Sequence, residues 1–228
     1  MPTWPDGLWL VVGVAVVVII AAVGVYFSLK NDERRRGRLV RLASILGLRF
    51  VGEVRRDLLE PYLHTATFAG SEDRFAVDCL YGRMKDRWND AEVLAGEFQQ
   101  EDKTRPRHEL VRWSFALARV ENVLGARMII TRRSDRPGIY RHKFEVTDGA
   151  FARRYAVETT DEAFASGVLT REIVEQIMNA EPQMIEVADV AVIVSSRRGD
   201  WRRDEVWEAA AVEACLKLSA KICRKVSE

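Results

Sequence analysis

Hydrophobic residues are concentrated in one uninterrupted run near the N-terminus. Residues 8–27 read LWLVVGVAVVVIIAAVGVYF and contain no charged side chain. As a helix rising about 1.5 Å per residue, this run would extend about 30 Å, the thickness of the hydrocarbon core of a bilayer. The pattern predicts a transmembrane helix over residues 8–29, preceded by a short extracytoplasmic tail of residues 1–7.

A cleaved signal peptide and a buried helix of a soluble protein are the two alternatives for this run. The preceding MPTWPDG contains no Lys or Arg, whereas a signal peptide begins with a basic region and has a shorter apolar stretch. A soluble helix is rarely apolar on every side in a small protein. The sequence therefore favours a single-pass membrane anchor.

Basic residues follow the apolar run at once. The cluster consists of Arg34, Arg35, Arg36, Arg38 and Arg41. Because Lys and Arg flanking a membrane helix stay in the cytoplasm, we expect the N-terminus outside and the C-terminal part inside the plasma (inner) membrane. Residues 30–47 are predicted to form a basic juxtamembrane helix that ends at Gly47. We expect these arginines to contact anionic lipid headgroups, at about 1 kcal/mol each.

Beyond residue 47 the apolar spacing changes to that of short strands. Strands are predicted over residues 48–54, 64–70, 74–82, 92–100, 108–120, 126–131, 142–146 and 153–159. Residues 184–196 are expected to form two short strands, or one strand with a bend at residues 188–189. Within 74–82, Phe75, Val77 and Cys79 are expected to share one face of the strand. Asp148 and Gly149 are predicted to form the turn between two strands.

Helices are fewer in this part of the chain. A brief helix is expected over residues 55–63, and a second over residues 170–179, capped by Thr170. The last runs from about residue 203 to 226 and is expected to pack on the sheet through Trp207 and Leu218. Its apolar face comprises Trp207, Ala211, Ala214, Leu218 and Ile222. Runs of strands with a few helices predict an α+β cytoplasmic domain, residues 48–228, with a mainly antiparallel sheet.

Charge and cysteine content narrow the list of partners. Lys and Arg number 35 against 34 Asp and Glu, for a net charge of +1. This balance gives no reason to expect a nucleic acid partner. Cys79, Cys215 and Cys223 are too few and too widely spaced for a disulfide framework, so we expect free thiols in a reducing compartment.

No motif in the sequence assigns a reaction. The chain contains no GxGxxG, Walker A, HExxH, CxxC or GxSxG pattern, so no catalytic residue, metal ligand or cofactor is predicted. Asp78, Asp90 and Glu92 are acid–base candidates if the fold brings them together in a pocket. Otherwise they are charges in contact with solvent.

The layout resembles that of bacterial single-pass membrane proteins with a cytoplasmic α+β domain of unknown function. The residues that carry the resemblance are the anchor and the stretch FEVTDGAFARRYAVETTDEAFASGVLTREIVEQIMNAEPQMIEVADVAVIV. This stretch follows an order of strand, turn, strand, short helix, capped helix and strand pair. Such families supply no catalytic residues to transfer.

The sequence supports a membrane-tethered binding or regulatory module of unknown specificity. Its expected partners are the bilayer, anionic headgroups and a protein not identified by the sequence. A membrane-anchored enzyme with scattered site residues is one alternative. A structural subunit of a membrane complex is the other.

Overall fold

One long helix begins the computed structural model, which describes residues 6–54, 56–68, 74–84, 91–102, 109–121, 124–135, 142–197 and 209–227. Helix α1 spans Asp6–Leu46, and Gly47 follows it with φ 69°, the conformation that glycine adopts most readily after a helix. The side chains of residues 12–34 are all exposed. Within the described residues, α1 is long and apolar enough to cross a membrane.

The chain divides into two units, Met1–Arg38 and Leu39–Glu228. The second unit contains the sheet, and its apolar core already includes Leu39, Leu42 and Ala43. These residues fall within the predicted juxtamembrane helix. The core of the domain therefore includes residues that precede the predicted domain boundary at residue 48.

Nine antiparallel strands form one sheet in the described part of the chain, in the order β1-β2-β3-β4-β9-β8-β5-β7-β6. The strands are β1 (Arg49–Val54), β2 (Arg74–Met84), β3 (Ala91–Asp102), β4 (Glu109–Arg119), β5 (Met128–Arg132), β6 (His142–Phe144), β7 (Tyr155–Thr159), β8 (Met184–Ala188) and β9 (Ala191–Arg197). The α+β class with a mainly antiparallel sheet and packing helices is confirmed.

Helices of four to 19 residues connect or cover these strands. They are α2 (Arg56–Leu59), α3 (Gly149–Arg154), α4 (Glu162–Val168), α5 (Arg171–Ala180) and α6 (Ala209–Ser227). Thr170 caps α5 as predicted, since its side chain accepts a hydrogen bond from the Ile173 amide. Helix α6 packs against β3, β4 and β9 and against α5.

The central strands are apolar on both faces. In β4, Ala116 and Ala118 pack in the cluster that contains α5 and α6, while Phe115 and Leu117 pack in a second cluster on the opposite side. We call these sides the helix face and the segment face. The segment face is covered by residues 56–68, the cover segment, which contributes Leu59, Tyr62 and Phe68.

A β-bulge interrupts the alternation of β2. Val77 pairs with Glu97 and Leu80 pairs with Ala95, so two residues of β2 lie opposite Gly96 alone. Asp78 takes φ 51° there, a left-handed conformation that aspartate tolerates better than most side chains. The predicted common face of Phe75, Val77 and Cys79 is therefore wrong, because the bulge shifts the alternation by one residue.

Two local predictions are also wrong. Residues 64–68 form turns within the cover segment and pair with no strand. Asp148 and Gly149 form the start of α3: the Asp148 carboxylate accepts hydrogen bonds from the amides of Ala150 and Phe151. Asp-Gly occurs in tight turns and at helix N-caps, and here the six residues Gly149–Arg154 form a helix after the Asp148 cap.

The C-terminal helix contributes a buried stripe to the helix face. Leu218 and Ile222 are buried, as predicted, while Ala214 is half-buried. Trp207 and the predicted start at residue 203 lie outside the described residues. Val212, Leu216 and Cys223 are additional buried residues of α6.

Truncating Leu218 is expected to destabilise the domain strongly. Its side chain is 2% exposed, and Leu→Ala in a core costs about 2–5 kcal/mol. Lys217→Ala is the control, since that side chain is partly exposed and, among the described residues, forms a surface ion pair with Glu213, a contact worth about 0.5 kcal/mol. Urea denaturation of the detergent-solubilised chain measures both. Equal small shifts of the two midpoints would contradict the packing of α6.

Gly96 is expected to reject a side chain because of Cys79. A Cβ atom at position 96 would overlap the Cys79 Sγ and lie 3.3 Å from the Val77 carbonyl oxygen. Gly96→Ala should therefore cost about 1–3 kcal/mol, as overpacking does. Cys79→Ala removes the overlapping atom, so the double variant should lose less stability than the sum of the two single variants. Additive losses in urea denaturation would show that the two positions are not in contact.

Candidate functional site

The predicted lipid-contact arginines lie in the second half of α1. Arg34, Arg36, Arg38 and Arg41 are exposed, and Arg35 is half-buried. The segment 34–41 contains no Asp or Glu, so its own sequence supplies only positive charge. Guanidinium groups bind phosphate oxygens in a bidentate geometry, and the predicted contact of these residues with headgroups stays a prediction.

Of the three predicted acidic residues, the two that the structure describes do not lie in one site. Asp78 is 1% exposed and lies at the bulge of β2. Asp90 lies outside the described residues. Glu92, at the start of β3, lines a cavity that Asp78 does not reach. The enzyme interpretation required these acids to meet in one pocket. Asp78 and Glu92, the two that the structure describes, do not share one.

The cavity at Glu92 lies on the segment face, between strands β2, β3 and β4 and the cover segment. Its volume is about 100 Å³. The lining is Leu58, Pro61, Tyr62, Tyr81, Glu92, Val93, Leu94, Leu117 and Arg119. Five of these nine residues are apolar, and four polar side chains converge on the cavity. The mixture of apolar wall and a few polar groups is that of a ligand site, although the volume is below the roughly 300–1,000 Å³ of most of them.

Glu92 is the centre of the polar group. One carboxylate oxygen accepts a hydrogen bond from the Tyr81 hydroxyl at 2.7 Å. The other accepts one from Arg119 Nη1 at 3.2 Å. The three residues belong to β2, β3 and β4, so the sheet itself sets their positions. The side chains of Glu92 and Arg119 are 28% and 58% exposed, and this places the pair at the mouth of the cavity.

The electrostatics of the two tyrosines reflect this arrangement. Burial raises the pKa of Tyr62, while the positive charge of Arg119 acts in the opposite direction. The hydrogen bond to Glu92 raises the pKa of Tyr81. Both phenols are therefore neutral hydrogen-bond donors at physiological pH. Within the part of the chain that the structure describes, the Tyr62 hydroxyl has no hydrogen-bond partner.

A buried carboxylate holds the cover segment in place. Glu186 on β8 is 2% exposed and accepts hydrogen bonds of 2.8 Å from the amides of Ala66 and Thr67 and from the Thr67 hydroxyl. Phe68 inserts between Phe98 and Phe115, with ring centroids 5.0 and 5.2 Å away in edge-to-face geometry. Hydrogen bonds to a charged acceptor and aromatic packing together fix the segment on the sheet.

Sequence reasoning identified Glu92 but missed Tyr81, Arg119 and Glu186. These residues are far apart in the chain and belong to no motif. One signal was present: Glu186 is a charged residue within the apolar run MIEVADVAVIV. Such a residue in a buried strand requires a partner, although the sequence does not say which.

The histidines and cysteines provide no metal site or reactive thiol among the side chains that the structure describes. His64 is exposed, His142 has only its backbone described, and His108 lies outside the described residues. Among the described residues, no three His, Cys, Asp or Glu side chains form a group suited to a metal ion. The three cysteines are free and buried, and burial raises the pKa of Cys215 and Cys223 to about 11, which disfavours their reactive thiolate form.

Comparison with known proteins finds one relevant solved structure. The fold is similar to the crystal structure of the mycobacterial trehalose monomycolate transport factor A, TtfA, with a TM-score of 0.56 and 11% sequence identity. The match covers 85% of this chain and 92% of that chain. At this identity the likeness establishes the fold alone. No protein-family model matches the chain, and no curated protein matches its sequence.

Glu186→Gln is expected to loosen the cover segment. The amide nitrogen that replaces one carboxylate oxygen cannot accept a hydrogen bond, so at least one buried donor of residues 66–67 is left unsatisfied, at about 1–3 kcal/mol. Glu145→Gln is the matched control, because Glu145 is exposed. Hydrogen exchange of the amides of residues 62–68 should accelerate in the first variant alone. Unchanged protection would show that Phe68 packing suffices.

Proposed function

We propose that this chain is a membrane-anchored binding module whose domain operates at the cytoplasmic face of the plasma membrane. The observation that supports this most directly is the exposure of every side chain from residue 12 to residue 34 of α1. The apolar part of this stretch, residues 12–29, is costly to expose to water, because monomeric soluble proteins rarely expose large continuous apolar surfaces. A bilayer removes that cost.

The orientation that we propose rests on charge. The arginines of residues 34–41 follow the apolar stretch, whereas Asp6 is the one charged side chain among residues 1–7. The positive-inside rule then favours a cytoplasmic domain. The buried free thiols agree with a reducing compartment.

The arginine cluster has a second role in this proposal. Guanidinium groups just inside the membrane are attracted to anionic headgroups at about 1 kcal/mol each. Five such residues would hold residues 34–41 against the inner leaflet.

The proposed activity is binding in support of a membrane transport process. TtfA, which shares the fold, is described as a transport factor for trehalose monomycolate. An accessory role of the same general kind requires a binding surface and no catalytic group. We therefore propose a ligand or protein partner at the membrane, and the domain as the part that recognises it.

Reporter fusions test the orientation. A reporter joined after Glu228 should be active only in its cytoplasmic form. Activity that requires export would overturn the proposed topology. Replacement of Arg34, Arg35, Arg36, Arg38 and Arg41 by Gln should give a mixed population, because the signal that retains this side of the helix is lost.

Lipid analysis tests the headgroup contact separately. When the chain is extracted from membranes in polymer-bounded nanodiscs, anionic lipid should be enriched around it relative to the bulk membrane. The Gln variants that retain the native orientation should lose that enrichment. Arg153→Gln and Arg171→Gln, which remove exposed arginines of α3 and α5, are the controls and should retain it. Equal enrichment in both sets would exclude residues 34–41 as the contact.

A further inference from the structure

The volume of the cavity at Glu92 limits the size of the group that it can enclose. Its volume is about 100 Å³, somewhat below the roughly 150 Å³ of an engineered cavity that binds benzene. Only part of a molecule the size of glycerol is enclosed, and the remainder of the ligand would extend past Arg119 into solvent. Leu94 and Leu117 form an apolar floor from two neighbouring strands.

The polar groups of the cavity carry no net charge. Glu92 and Arg119 form an ion pair at 3.2 Å, and both tyrosines are neutral. A bound anion would be attracted by Arg119 but would also approach the carboxylate of Glu92. A bound cation would meet the opposite combination. The balance favours an uncharged polar ligand, since an unpaired charge in a half-buried site is costly.

Donors and acceptors nevertheless remain available. A guanidinium carries five N–H donors, and among the described residues Arg119 uses its side chain only toward Glu92. The Tyr62 hydroxyl, on the wall formed by the cover segment, is unpaired in the same part of the chain. Each carboxylate oxygen of Glu92 has one observed partner and can accept another hydrogen bond.

This combination matches the chemistry of a hydroxyl group. A hydroxyl accepts a hydrogen bond from Arg119 or Tyr62 and donates one to Glu92, and adjacent hydroxyls on a short carbon chain can do both at once. The C–H surface of such a chain can lie on the apolar floor and on the tyrosine rings. Phosphate, in contrast, is anionic at neutral pH, so its charge is repelled by the Glu92 carboxylate that a hydroxyl group uses as an acceptor.

We propose that the cavity at Glu92 binds a polyhydroxylated group, as found in a sugar or glycerol moiety. This inference rests on the proposed binding function and names the chemical class of its ligand. Tyr62, Glu92 and Arg119 contact the hydroxyls. Glu186 is a positioning residue, because its hydrogen bonds to residues 66 and 67 fix the segment that presents Tyr62.

Saturation-transfer NMR on the full chain in phosphatidylcholine nanodiscs tests the proposal. Glycerol and methyl glucoside are titrated as separate probes, and inorganic phosphate, which has no carbon-bound protons to observe, is added as a competitor. The two polyols should bind and phosphate should not displace them. Glu92→Gln should weaken polyol binding about tenfold, because a charged hydrogen-bond partner is lost. Glu175→Gln, in the surface pair with Arg171, is the matched control and should leave binding unchanged.

Tyr62→Phe guards against loss of fold. It removes one hydroxyl that has no partner within the described residues, so the thermal midpoint should stay constant while polyol binding weakens several-fold. Absence of polyol binding, equal binding to Tyr62→Phe and the native chain, or displacement of the polyols by phosphate would each overturn the proposal. The recovery of the same variants in the membrane fraction reports on the anchor independently, so failure of the ligand and failure of the membrane function are distinguished.

A second set of nanodiscs identifies the source of the hydroxyls. If the ligand is a lipid headgroup, a glycolipid incorporated in the disc should compete with methyl glucoside. If it is a soluble polyol, methyl glucoside should bind equally with and without glycolipid. Both results support a polyol site, and they differ only in where the ligand comes from.

Discussion

The domain depends on covering both faces of a sheet whose central strands are apolar on each side. In β9, Val192 and Val194 face the helices while Ala191 and Ile193 face the cover segment. Burial of a large apolar side chain contributes about 1.5–3 kcal/mol, and the same side chain left in water would favour aggregation. A single layer of helices cannot satisfy this sequence pattern. The chain therefore uses α5, α6 and the end of α1 on one face, and residues 56–68 on the other.

The two covers differ in how they are held. Helix α6 satisfies its own backbone hydrogen bonds and adheres through a continuous apolar stripe. The cover segment is short and irregular, so its amides need other acceptors. Glu186 supplies two of these bonds from a strand more than a hundred residues away in sequence. The charge of Glu186 is tolerated in the interior because donors surround it. An irregular segment also covers the sheet less completely than a helix does. The cavity at Glu92 lies between this segment and strands β2, β3 and β4.

The bulge in β2 follows from the same two-sided constraint. Ala76 and Cys79 both belong to the segment face, although they are three positions apart in sequence. A regular strand would place them on opposite faces. The extra residue restores Cys79 to the apolar cluster, where burial raises its pKa. Glycine at position 96 provides the space that its sulfur occupies. Asp78 accepts the left-handed backbone that the shift requires.

Local periodicity explains what the sequence could predict. The apolar run, the strands of the central sheet and the cap at Thr170 depend on residues near each other in the chain. The strand order, the bulge and the turns of residues 64–68 depend on partners that the sequence does not specify. HTATFAG has the composition of a strand, but Thr67 and Phe68 are used for contacts with Glu186 and with the aromatic rings of β3 and β4. The contacts of Glu92 with Tyr81 and Arg119 could not be predicted from the sequence for the same reason, since the three residues belong to three strands.

The proposed functions of the arginine cluster and the cavity require different electrostatics, and the chain provides them. Residues 34–41 contain five arginines and no acidic residue, so the proposed contact with headgroup phosphates would rest on positive charge. Arg119 is a single arginine paired with a carboxylate at the rim of an apolar cavity. Its charge is neutralised locally, and its remaining donors can read hydroxyl positions without selecting for anions. Anchoring by charge and recognition by hydrogen bonding would therefore not compete for the same lipids.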